Sequence, residues 1–229
     1  MPRASGSCAY DKRAQPGSQP DLREKSRRSV TSTLCLKETK VNIACLGWGS
    51  LIWDLRGLPV RGTWFKDGPM LPIEFARESG GKRITLVIAD VGYTVRSLWA
   101  LMSVDTLDEA KRKLADRESI TEENIRYSIG FWERASDSSH GKCVPQISAW
   151  AKSLDLDAVV WTNLKCGFLK TRDKMPEYGQ VLEQIEQLSH EERRVAEEYI
   201  RRAPVQIDTE FRRRLQRDMG WMPIIPEEA

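Results

Sequence analysis

A glycine-containing turn is the first feature of the sequence that could do chemistry. The segment Gly47–Trp53 (GWGSLIW) follows an apolar, β-prone stretch, and its two glycines flank a single tryptophan. Glycine lets a backbone turn sharply and approach a ligand closely. Successive N–H groups at Gly49, Ser50 and Leu51 could therefore form a concave donor array for a carboxylate or an oxyanion. The alternative is an ordinary turn between strands with two core tryptophans, and the spacing alone favours it.

Glu118 is the second candidate. It lies at the end of a predicted helix that begins at Thr106, where Thr106 and Glu109 match a capping box. At about 100° per residue, Glu118 lies about 20° from Leu107 around the helix, so it extends the apolar face. A carboxylate desolvated on such a face is a better general base near neutral pH. The alternative is an ion pair with Arg117, and most such pairs at helix ends lie on the surface.

The remaining reactive side chains form weaker patterns. His140 and Cys143 are close in sequence, but their polar, turn-rich stretch supplies no third group to orient a catalytic pair. The five cysteines and two histidines do not provide the two close ligand pairs that are usual in a tetrahedral zinc site. We therefore predict free thiols and no metal.

Charge divides the chain into two parts. Residues 1–40 contain nine Lys or Arg and four Asp or Glu, which gives them a net charge of +5. Because the whole chain has a net charge of +3, the remaining residues carry −2. Because residues 1–40 also lack helical and strand periodicity, they are predicted to form a disordered basic arm, with an organelle transit peptide as the alternative. Residues 41–229 are predicted to form one domain.

The body of the chain shows neither a nucleic-acid-binding nor a membrane-spanning pattern. Eight arginines follow residue 190, but nine acidic residues accompany them, which is typical of a solvated helical surface. No apolar run is long enough for a membrane span, and no signal peptide opens the chain. We therefore expect no nucleic-acid partner, no membrane partner and a cytoplasmic location.

The elements that must position these residues follow an α+β order. Strands are predicted at residues 41–46, 71–76, 83–89, 95–104 and 158–161, with a tight turn at residues 79–81. Helices are predicted at residues 106–118, 145–154, 176–188, 189–203 and 208–219. This order predicts a small mixed, barrel-like sheet with helices packed around it and a helix-rich C-terminal part.

Together, the turn and Glu118 resemble the γ-glutamylcyclotransferase-like family, especially its ChaC-type glutathione-degrading branch. That branch has a strand followed by a Tyr-Gly-Ser-Leu-(Ile/Met)-Trp turn, and this chain has Trp48–Trp53 (WGSLIW) at the same place. The branch continues with a Trp-containing strand and a short helix ending in Arg-Glu, which Leu98–Ala100 and Lys113–Glu118 match. The resemblance covers roughly residues 41–120, and Trp48 replaces the motif's tyrosine.

The resemblance implies a pocket between the turn and the helix end, with Glu118 as the catalytic base and Trp48, Gly49, Ser50 and Leu51 binding the substrate. The implied reaction is cyclisation of a small γ-glutamyl compound, in which the substrate's α-amine attacks its own γ-carbonyl. The products are 5-oxoproline and an amine or a peptide such as Cys-Gly, and no cofactor is required. The alternative is a non-catalytic ligand-binding or regulatory relative of the same fold, which Trp48 in place of tyrosine favours.

Overall fold

The computed structural model describes residues 41–225, so the arm predicted for residues 1–40 lies outside the described residues. The strands of the described part are β1 (Ile43–Gly47), β2 (Val60–Phe65), β3 (Met70–Leu71), β4 (Ile73–Glu78), β5 (Ile84–Ile88), β6 (Val95–Arg96), β7 (Leu98–Met102), β8 (Ile129–Glu133), β9 (Ser139–His140) and β10 (Ala158–Thr162). Its helices are α1 (Leu107–Arg117), α2 (Glu122–Ser128), α3 (Val144–Ser153), α4 (Tyr178–Glu186), α5 (His190–Arg202) and α6 (Glu210–Met219). None of these helices is both long and apolar enough to cross a membrane.

Six strands form one mixed sheet in the order β2–β7–β1–β10–β8–β9. The central strand β1 pairs antiparallel with β7 and parallel with β10. Two antiparallel pairs, β3–β6 and β4–β5, complete the strand set of residues 41–225. The predictions of an α+β fold and of a helix-rich C-terminal part are confirmed. Within the described residues the sheet is open, with β2 and β9 at its two edges, so the barrel-like closure is not confirmed.

The sequence pattern does not predict β2, α2, β8 or β9. Strand β2 lies at an edge with partly exposed side chains, so it lacks the apolar run that marks a buried strand. Strand β8 buries Ile129 and Trp132 and pairs with β10 along its whole length. The expectation of a single strand in the second half of the chain was therefore wrong.

Two predicted strands are each divided in two. The stretch 71–76 divides at Pro72, which has no N–H to donate to a strand partner. The stretch 95–104 divides at Ser97, whose N–H and hydroxyl both donate to the Pro69 carbonyl, at 3.2 and 2.8 Å. Ser97 is fully buried, and these bonds to a residue 28 positions earlier in the chain take it out of the ladder.

Apolar clusters cover both faces of the sheet. Ala44 and Leu46 of β1 pack into the larger cluster, whereas Ile43 and Cys45 pack into the cluster that includes the buried residues of α1. This alternation is the period of two residues expected of a strand. Because β1 is buried on both faces, the end of the strand, and therefore the glycine turn that follows it, is held in a fixed place.

Candidate functional site

A cavity of about 560 Å³ lies beside the turn that follows β1. This volume is in the range typical of small-molecule sites. Its wall combines the glycine turn, the end of α1, the β4–β5 hairpin, one side chain of α5, and residues of α2 and of the end of β10. All five residues that the sequence predicted to form the site line it, namely Trp48, Gly49, Ser50, Leu51 and Glu118.

The turn lines this cavity and leaves several of its backbone donors unpaired within residues 41–225. It is a single 3-10 turn, in which the Ile52 N–H donates to the Gly49 carbonyl at 3.0 Å and the Trp53 N–H to the Ser50 carbonyl at 3.3 Å. The N–H groups of Gly49, Ser50 and Leu51 have no acceptor in the described part of the chain. Three adjacent donors are therefore available to a bound anion.

Gly49 is required by the close approach of Tyr199. A Cβ built on Gly49 would lie 2.6 Å from the Tyr199 hydroxyl oxygen, far inside normal contact distance. That oxygen accepts a hydrogen bond from the Leu86 N–H at 3.4 Å. Burial raises the pKa of Tyr199 to about 12, so the phenol keeps its proton at neutral pH. Tyr199 thus fixes the turn against β5 and places a hydroxyl in the cavity wall.

The side chains of Trp48 and Leu51 belong to the core. Trp48 is 3% exposed, and its indole N–H already donates to the Leu86 carbonyl at 3.4 Å. Leu51 packs in the cluster that contains Leu114 and Ile129. Both residues therefore offer a ligand apolar surface or backbone groups rather than a polar side chain.

Glu118 directly follows the last residue of α1, and about a fifth of its side chain is exposed. Arg117 donates from Nη1 to Glu118 Oε1 at 2.7 Å, and the Arg117 side chain is only 3% exposed. The ion pair considered as the alternative for Glu118 is thus present. It lies in the cavity wall rather than on the surface, because its cation is buried.

Arg117 connects the helix end to the turn. Its Nε and Nη2 donate to the Asp54 carbonyl at 3.1 and 2.6 Å, and Nη2 also donates to the Ser50 hydroxyl oxygen at 3.0 Å. One planar guanidinium therefore contacts Ser50, Asp54 and Glu118, which fixes their relative positions. The Ser50 hydroxyl accepts from a cation and makes no hydrogen bond to the Glu118 carboxylate, so Ser50 is not arranged as a nucleophile.

The cavity wall carries an excess of positive charge. Its charged side chains are those of four arginines and one glutamate: Arg56, Arg77, Arg83, Arg117 and Glu118. Charge of one sign on the walls of a cleft concentrates the electrostatic potential inside it. The cavity therefore favours an anionic ligand.

The sequence analysis named Arg117 only as an ion-pair partner of Glu118 and did not include Tyr199, although each had a detectable signal as a site residue. Arg117 lies seven residues after the buried Ala110, which places it about 20° away on the same helical face. Tyr199 lies three residues after Ala196 on the apolar face of α5. The two hairpin arginines had no such signal, because their direction depends on how β4 and β5 pair.

Comparisons with protein-family models, with curated proteins and with solved structures found no match to this chain. Within residues 41–225, no three His, Cys, Asp or Glu side chains are arranged to hold a metal ion. The geometry of the cavity and the charges on its wall are therefore the basis for assigning it a function.

Proposed function

We propose that the protein is a γ-glutamylcyclotransferase, which converts a γ-glutamyl compound into 5-oxoproline and a free amine or peptide. The observation that carries this proposal is the presence of Glu118 and the free N–H groups of Gly49, Ser50 and Leu51 in one cavity. The resemblance of residues 41–120 to the γ-glutamylcyclotransferase-like family supports the choice of substrate. The three described cysteines are free, which fits the cytoplasmic location that the proposal includes.

Binding orients the substrate for attack on itself. The N–H groups of the turn hold the substrate's α-carboxylate, or the oxyanion that develops on the γ-carbonyl. The γ-glutamyl chain then folds so that its amine lies against its own γ-carbon. Such positioning replaces a bimolecular encounter and removes several kcal/mol from the barrier.

Glu118 moves the proton. It takes one proton from the substrate's ammonium group, and the resulting amine forms the new C–N bond of the five-membered ring. When the tetrahedral intermediate collapses, the bond from the γ-carbon to the leaving nitrogen breaks, and Glu118 returns the proton to that nitrogen. After the attack the ring nitrogen still carries two hydrogens, and it loses one of them to Glu118, which passes it to the released amine. The products are then the neutral lactam and an ammonium group, and the reaction is balanced without water, metal or cofactor.

The hydrogen bonds of Glu118 suit this role. Arg117 holds Oε1, whereas Oε2 receives no hydrogen bond from the described residues. Oε2 is therefore the oxygen available to accept a proton, while the bond to Oε1 keeps the carboxylate aimed at the cavity.

Glu118→Gln tests the proposal. Parent and variant are incubated with a panel of γ-glutamyl amino acids, peptides and amines, and 5-oxoproline is measured. The amide keeps an acceptor for Arg117 but removes the base, so kcat/KM should fall by at least about 100-fold. Asp116→Asn is the control, because Asp116 is exposed near the same helix end and should change little. Parental rates in Glu118→Gln would show that Glu118 is not the base.

A ligand-binding protein without catalysis is the second candidate. The observation that favours it is Trp48, which replaces the tyrosine of the resembling motif and whose only donor is already bonded to Leu86. The same panel separates the two candidates. Binding of γ-glutamyl compounds by calorimetry, with no 5-oxoproline from any of them, would favour the binding protein.

A further inference from the structure

Two arginines of the β4–β5 hairpin face the cavity without a carboxylate partner. The other two cavity arginines, Arg56 and Arg117, each pair with a carboxylate, at 2.8 and 2.7 Å. Across residues 41–225, no carboxylate oxygen lies within 4.0 Å of a nitrogen of Arg77 or Arg83. The excess positive charge of the cavity is therefore located on these two side chains.

Their surroundings hold both guanidinium groups in place. The Arg83 Cζ lies 4.6 Å from the centre of the Tyr199 ring, and its Nε is buried with no hydrogen-bond partner in the described part. Arg77 donates from Nη1 to the Lys165 carbonyl at 2.7 Å. Burial, and then the nearby Arg172, lower the pKa of Arg77, while the Glu118 carboxylate acts in the opposite direction without pairing with it. A further anion beside Arg77 would therefore stabilise its charged form.

We propose that Arg77 and Arg83 form an anion subsite that binds a carboxylate on the leaving group of the substrate. This inference rests on the proposed function, which places the γ-glutamyl half between the turn and Glu118. The leaving group must then extend into the remaining space, whose uncompensated charges are these two arginines. The preferred substrates are therefore γ-glutamyl amino acids or peptides with a free carboxylate, and γ-glutamyl alkylamines are poor substrates.

Two substrates that differ only in this charge test the subsite. γ-Glutamylglycine has a carboxylate on its leaving group, and γ-glutamylglycinamide has a neutral amide there. A charge-assisted hydrogen bond from a partly buried arginine should give the carboxylate about a tenfold or greater advantage in kcat/KM. Arg83→Gln should remove that advantage by raising KM for γ-glutamylglycine alone, and Arg77→Gln should reduce it.

Arg56→Gln is the matched control, because Arg56 lines the same cavity but is already paired. It should keep the preference for the carboxylate. Equal use of both substrates by the parent would overturn the subsite. An equal loss for both substrates in Arg83→Gln would also overturn it, because Arg83 would then act on the γ-glutamyl half or on the fold.

Calorimetry separates this inference from the proposed function. Both compounds are titrated into the parent, into Glu118→Gln and into Arg83→Gln. One outcome supports the subsite and contradicts the catalytic proposal. In it, no 5-oxoproline forms, the parent binds γ-glutamylglycine at least about tenfold more tightly than the amide, and Arg83→Gln loses this difference in affinity. If neither compound binds or reacts, both proposals fail.

Discussion

A methyl group at Gly49 tests whether the Tyr199 hydroxyl determines the geometry of the turn. The Cβ of Gly49→Ala would lie 2.6 Å from that oxygen, whereas the next atoms, Tyr199 Cζ and Leu86 Cδ1, are at 3.5 and 3.8 Å. The collision therefore involves a single oxygen atom. Tyr199 is only 7% exposed and is packed against Phe75 and Trp53, so it cannot move aside freely. We expect Gly49→Ala to cost about 1–3 kcal/mol of unfolding free energy, as overpacking of a core does.

Removing the hydroxyl should remove most of this cost. Tyr199→Phe alone loses the long hydrogen bond from the Leu86 N–H, for a cost of about 1 kcal/mol. In the Tyr199→Phe background, the added methyl of Gly49→Ala meets only ordinary contacts. The double variant should therefore be nearly as stable as Tyr199→Phe, which gives a coupling energy of about 1–3 kcal/mol between the two sites.

The assay is urea unfolding of the parent, the two single variants and the double variant. Gly80→Ala is the control, because Gly80 lines the same cavity but an added Cβ there meets no atom within 4 Å. Gly49→Ala should also lower turnover, because relief of the collision displaces the N–H groups of the turn. Single-variant costs that add to within about 0.5 kcal/mol would refute the role given to the Tyr199 hydroxyl.

Two further predictions concern buried charges. Glu74 is fully buried and accepts a hydrogen bond from the Phe211 N–H, and burial raises the pKa of its carboxyl group. The stability that Glu74 contributes is therefore complete below the ordinary glutamate pKa. It is lost as the pH rises through the raised pKa of the folded state. Glu74→Gln should lack this loss in urea unfolding measured from acid to neutral pH, and identical pH profiles would contradict the prediction. Arg212 is 1% exposed and donates to four backbone carbonyls near the end of α5. Arg212→Met should therefore cost at least about 3 kcal/mol in the same assay, while the exposed Arg213→Met changes little, and similar effects of the two would contradict this account.

Helix ends were predictable because their signals are local. The pattern Ser189-x-x-Glu192 forms a complete capping box at the start of α5, and the helix ends at Arg202, before Pro204. At the start of α1, Thr106 accepts from the Glu109 N–H as predicted, but the Glu109 carboxylate bonds to the Asp105 N–H instead of closing the box. These interactions span at most four residues, so the chemistry that forms them can be recognised in the sequence itself.

Strand pairing was decided by the tertiary structure. The parallel partner of β1 is β10, which lies more than one hundred residues later in the chain, and β8 is a strand because it pairs with β10. Such pairing depends on which apolar faces meet, and a short apolar stretch such as residues 129–133 does not indicate that by itself. The open edges of the sheet follow from the same distant contacts.

The candidate site shows the same division. Gly49 and Glu118 became candidates through turn chemistry and helical periodicity, both of which are properties of a few neighbouring residues, and the family resemblance then favoured them over the ordinary alternatives. Their arrangement around one cavity depends on Arg117, whose guanidinium reaches Ser50, 67 residues earlier in the chain. Tyr199 and the hairpin arginines enter the wall only because α5 packs against β5 and β4 pairs with β5. The sequence alone determined the residue types of the turn and of the helix end, whereas long-range packing decided which other side chains line the cavity and what charge they carry into it.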